Sequence, residues 1–189
     1  MADREAAMPD ELVTETTALQ LSLQLAGRCR GPEVWSARIV AIAPDESGAA
    51  PVLAAATLHR VHYADPRWCA QLGDAGADLA EVGSAFTDRE LISMIDESSL
   101  FTESLCVISS IDVVPAAVGT LVSHELVRAV ARVFDGDTLA LVIPGAFAPA
   151  DGGAVDDADI ATRRAHWAAT GFVDIPGTTA MLLPVGARP

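Results

Sequence analysis

Residues 105–134, LCVISSIDVVPAAVGTLVSHELVRAVARVF, constrain the fold more than any other stretch of this chain. The first ten are almost continuously apolar, the pattern of a strand buried on both faces at the centre of a sheet. A Pro-Ala-Ala-Val-Gly turn occupies 115–119, after which Val122, Leu126, Val130 and Val133 recur at spacings of four, four and three. That period predicts a helix with one buried face, leaving Arg128 and Arg132 in water. A strand that passes through a tight turn into a helix start aims several backbone N–H groups at one place. That place lies beside the positive end of the helix dipole. It suits a phosphate.

Composition narrows the class. The 189 residues are 51% hydrophobic, enough for one compact domain with a sizeable core. Residues 1–13 read as a mobile acidic lead-in without the apolar run of a secretory signal. No apolar run approaches the roughly 18 residues needed to cross a bilayer, so a cytoplasmic protein is expected. The net charge of −14 opposes binding to nucleic acid or an anionic membrane and would attract a small amine or a basic peptide. All 12 basic residues are Arg, which excludes a lysine Schiff base or a P-loop lysine. Cys29, Cys69 and Cys106 form neither a disulfide framework nor a zinc spacing.

Along the chain, Leu19, Leu21, Leu23 and Leu25 alternate with polar residues, which favours a strand at 17–25; the helix formers there leave a helix open as the alternative. Strands at 34–42 and 52–63 continue an antiparallel meander. Residues 64–86, rich in Gly, Ala and Asp, read as irregular with a short strand at 79–86. From Asp74 to Glu103 the chain carries eight acids against one Arg and reads as an acidic insertion. Thr87 and Glu90 match a capping box that opens a short helix with Leu91, Ile92 and Ile95 on its apolar stripe. After the central unit, Asp135-Gly136-Asp137 marks a stop and turn, and 138–143 a buried strand. A helix over 156–169 stops at Gly171. A hairpin of 172–175 and 179–183 completes one domain, an α/β fold with a mixed central sheet and packed helices.

The order strand, turn, helix, strand, helix, hairpin over residues 105–184 resembles the GCN5-related N-acetyltransferase (GNAT) superfamily. Val113-Val114-Pro115 is similar to that family's V-x-P strand end, and Gly119 to the glycine of its pyrophosphate turn. Trp167-Ala-Ala-Thr-Gly171-Phe172 is similar to its Y-x-x-x-G-F helix end, with Trp167 in place of the tyrosine that protonates the leaving thiolate. Val118, Leu121 and Ser123 depart from the basic residue and glycines common in the turn. The first half also departs, since the family places two helices after its first strand.

The resemblance implies acetyl-CoA or another acyl-CoA as co-substrate, held by Val113, Val118, Gly119, Thr120, Leu121, Val122 and Ser123. It implies N-acyl transfer to a small or cationic amine, with Asp112 or Glu81 as proton acceptor and His166 as donor. A degenerate relative that binds a ligand or partner without turnover is the alternative. A third reading is an oligomer, such as a homodimer, paired through an exposed edge strand. His59 and His62, three apart on a strand, point to opposite faces and should not share a metal ion. No nucleophile elbow occurs. Trp35, Trp68, Trp167 and Tyr63 are expected to pack in the core.

Overall fold

The computed structural model describes residues 19–27, 31–42, 50–95, 97, 101–146 and 157–187. Residues 1–13 and Cys29 lie outside these. A seven-stranded mixed sheet forms the centre, in the order β1-β2-β3-β4-β5-β7-β6. β1 (Leu19–Gly27), β2 (Glu33–Ala41), β3 (Val52–His62) and β4 (Ser104–Val113) make an antiparallel meander. β5 (Asp137–Val142) then joins β4 in parallel. The crossover between them is α4 (Val122–Val133). α5 (Asp157–Ala168) leads to the hairpin of β6 (Val173–Asp174) and β7 (Ala180–Leu183), whose second strand pairs with β5. The alternation at the first leucines therefore resolves as strand. Leu21 and Leu23 pack on the core, while Leu19 and Leu25 stay exposed.

Residues 64–86 are not irregular, and 79–86 is helical and not a strand. They form α1 (Trp68–Ala75) and α2 (Ala77–Ala85), followed by α3 (Arg89–Ile95). The Gly and Asp content suggested loop, but Leu72, Leu79 and Val82 bury one face of the pair against the sheet. Gly83 lets α1 approach, since a Cβ there would stand 3.3 Å from Cys69 Sγ. The acidic stretch is thus largely a helical layer, not an insertion. The capping box also differs from expectation. Asp88 accepts from the N–H groups of Glu90 and Leu91, both at 3.1 Å, while the Thr87 hydroxyl donates to Ser84 O at 2.6 Å. Thr87 is claimed by the end of α2, so the carboxylate one residue later caps α3.

The sheet separates two apolar clusters. Cys106, Ile108, Leu139 and Leu141 face α4 and α5, with Trp167 and Phe172; Leu105, Val107, Ala140 and Val142 face α1–α3. In α4, Val122, Leu126, Val127 and Val130 are buried, but Val133 is 55% exposed because Phe134 fills the last position instead. Asp137, expected in a turn, begins β5 and is buried.

A bulge in β4 decides what the far end of that strand presents. Leu58 pairs with Ile108, but Thr57 pairs with Ser110, leaving Ser109 extra. The extra residue shifts the parity, so Ile111 and Val113 continue the face that Cys106 and Ile108 began. Without it, Asp112 would point into the core.

Candidate functional site

The end of β4, the turn after it and the start of α4 open onto a cleft of about 750 Å³. Asp112, Val113, Gly119, Leu121, Ser123 and His166 line it, together with His124 and Arg163. Its donors follow from backbone bookkeeping. Val114 N–H donates to Leu53 O on β3, so the N–H of Val113 points to the opposite edge. Two residues earlier on that edge, Ile111 N–H donates to Gly145 O at 3.0 Å. In the turn, Val118 N–H donates to Pro115 O, Thr120 N–H to Ala117 O, and Val122 N–H to the Thr120 hydroxyl. Those three are engaged within the turn.

The amides of Val113, Gly119, Leu121, Ser123 and His124 have no such bond among the described residues. Gly119 has a positive φ of 85°, a conformation that disfavours L side chains. The departures from glycine at the turn do not close the cleft. Val118 is 68% and Leu121 66% exposed, so both side chains lean into solvent.

Arg163 is the cation that sequence spacing did not reveal. It is only 9% exposed and donates from Nη1 to Pro144 O at 2.7 Å, anchoring the turn that carries Gly145. His166 lines the cleft, and its Nε2 lies 2.7 Å from Nε2 of His124 on α4. Burial lowers the pKa of both rings; the charge of Arg128 lowers His124 further, against Glu125, and His124 lowers His166. A depressed pKa favours the neutral ring, which suits His166 to accept a proton more than to donate one.

The other named residues are placed as follows. Asp112 is exposed at the cleft wall. Val122 is buried in the core and does not line the cleft. Glu81 lies on α2, on the other face of the sheet, where Oε2 accepts from the Thr179 hydroxyl at 3.3 Å. It does not line the cleft. Trp167 is fully buried among ring contacts with His124, His166 and Phe172, a core residue and no acid. His62 binds Ser104 Oγ through Nδ1 at 2.7 Å, and His59 is half-buried with its Nδ1 unbonded. No described helix is long and apolar enough to cross a membrane.

The chain matches no protein-family model, no curated protein and no solved structure.

Proposed function

We propose that the chain is a GNAT-like N-acyltransferase that takes an acyl group from an acyl-CoA thioester to a small or cationic amine. One observation supports the reading: Gly119, Leu121, Ser123 and His124, whose amides make no backbone hydrogen bond among the described residues, line one cleft at the start of a 12-residue helix. Converging N–H donors at a positive helix end favour a diphosphate. Arg163 at the wall adds charge of the right sign. The N–H of Val113, at the strand end, is set to polarise a thioester carbonyl, as an oxyanion donor does. Asp112 at the same wall takes the ammonium proton of the acceptor. The element order from β4 to β7 follows the arrangement on which the resemblance rests. The chain acts in the cytoplasm, where acyl-CoA is available.

A second reading, ligand binding without turnover, is favoured by the buried indole of Trp167 at the position of the catalytic tyrosine. Thermal denaturation with acetyl-CoA and with desulfo-CoA separates these outcomes. A ligand at about a hundred times its Kd adds about 2.7 kcal/mol of apparent stability. Stabilisation followed by thiol release in the presence of amines supports the transferase. Stabilisation without release supports the binding module, and no stabilisation by either CoA species overturns the transferase.

A further inference from the structure

The two imidazoles between α4 and α5 meet in a way that acyl transfer does not require. His124 is in the first turn of α4 and His166 in the last turn of α5, 42 residues apart in sequence. Their Nε2 atoms stand 2.7 Å apart, with ring centroids at 4.3 Å. Two identical nitrogens at that distance share one proton: one ring donates N–H and the other offers its lone pair. Replace that proton by a cation, and both lone pairs converge on one point.

We propose that His124 and His166 form a two-imidazole site for a borderline divalent transition-metal ion, Zn(II) or Ni(II), with water from the cleft completing the coordination. Imidazole is a favoured ligand for both ions. A metal–nitrogen bond of about 2.0–2.1 Å puts cis nitrogens roughly 2.9 Å apart in an octahedron and roughly 3.4 Å apart in a tetrahedron. From 2.7 Å the pair reaches the octahedral spacing by opening about 0.2 Å and the tetrahedral one by opening about 0.7 Å, which rotation of the rings supplies.

The pair is also held in place. Each ring stands edge-on to the buried Trp167, at 5.6 Å for His124 and 4.9 Å for His166. Both parent helices are 12 residues long and packed on the sheet. The cleft on one side and a cavity of about 160 Å³ on the other, which His124 also lines, give an ion and its waters room. The charges about the pair are mixed, Glu125 and Arg128 on α4 and Asp159 and Arg163 on α5. No third His, Cys, Asp or Glu joins the pair among the described residues. The site is therefore an exchangeable one, open to chelators, and not a closed structural centre.

Calorimetric titration of Zn(II), and separately Ni(II), into the full chain at neutral pH tests this. One ion per chain is expected, with the transition temperature raised by Zn(II) and restored by EDTA. His124→Gln and His166→Gln keep a polar partner at each position and should each weaken the ion at least tenfold without lowering the metal-free transition. Should a glutamine variant unfold, the double variant His124→Leu/His166→Leu, which leaves an apolar contact, replaces it. Binding unchanged in these variants, binding lost only when His59 or His62 is replaced, or no binding in the wild type each overturns the proposal. CoA binding plays no part in the measurement, so its outcome is independent of the transferase reading.

Discussion

Arg60 grips Asp137 with two hydrogen bonds, Nε to Oδ2 at 2.5 Å and Nη2 to Oδ1 at 2.9 Å, joining β3 to the first residue of β5. Glu33 lies 3.5 Å from Nη1, and the guanidinium stands 5.8 Å from the centre of the Phe134 ring. The Asp137 side chain is 5% exposed and that of Arg60 24%. Removing one partner strands a buried charge, whereas replacing both need not. Asp137→Ala should cost about 3 kcal/mol in urea denaturation, the low end for buried pairs because Arg60 retains some water. The triple variant Glu33→Leu/Arg60→Met/Asp137→Leu, which also removes the carboxylate 3.5 Å from Nη1, should recover most of that loss. A triple variant no more stable than Asp137→Ala would show that the ion pairing is not the cause.

Gly145 sits against the β4 bulge so closely that a Cβ there would lie 1.8 Å from Ser109 O. No side-chain rotation relieves a clash with backbone. Gly145→Ala should cost at least about 3 kcal/mol, beyond ordinary overpacking, and should break the bond from Ile111 N–H to Gly145 O. Thermal denaturation reads the first effect. Amide exchange at Ile111, faster in the variant, reads the second.

Leu121 is two-thirds in solvent at the mouth of the amide cradle, so its side chain can change without disturbing the core. Leu121→Glu puts a carboxylate where a diphosphate would sit. The ligand-free transition should stay within about 0.5 kcal/mol of wild type, as for other surface changes. Stabilisation by acetyl-CoA should vanish. Undiminished stabilisation would move the phosphate site elsewhere.

Asp112 is exposed, so Asp112→Asn should leave stability and CoA binding intact. If this carboxylate takes the acceptor proton, turnover should fall by roughly a hundredfold. Initial rates of thiol release, set beside the thermal shift with acetyl-CoA, distinguish lost chemistry from lost binding.

Tyr63 gives an alkaline signature. Burial pushes its pKa from 10.0 up to about 12; hydrogen bonds with Thr138 and Thr102 pull it down, and the charge of Asp137 adds to the rise. A folded pKa above the unfolded one means that the contribution is whole below pH 10 and is lost as pH climbs toward 12. Stability should fall by about 2–3 kcal/mol over that window. Urea midpoints measured from pH 9 upward should show the fall in wild type, and a smaller one in Tyr63→Phe.

Period was the reliable signal where the pattern was long. The alternating leucines became β1, the apolar run 105–114 became β4, and the spacing of four through Val122, Leu126 and Val130 became α4. Gly171 ended the last helix, with a positive φ of 97°. Local signals failed where two residues competed for one role. The cap read at Thr87 passed to Asp88, because the Thr87 hydroxyl is taken by the end of α2. Gly and Asp between Ala and Leu read as loop at 64–86, because helix formers there gain their stability from a sheet face that no local window contains.

Outside 64–86, the strand and helix types, the C-terminal hairpin and the turn at 115–119 were legible in the amino-acid order, because each depends on side chains within one or two turns of the chain. Only the tertiary structure decided which polar groups meet. Arg60 finds Asp137 across 77 residues and His124 finds His166 across 42. The extra residue at Ser109 keeps Asp112 out of the core. Register and bulges set those encounters, and a single-residue shift in register reverses which face every later side chain takes.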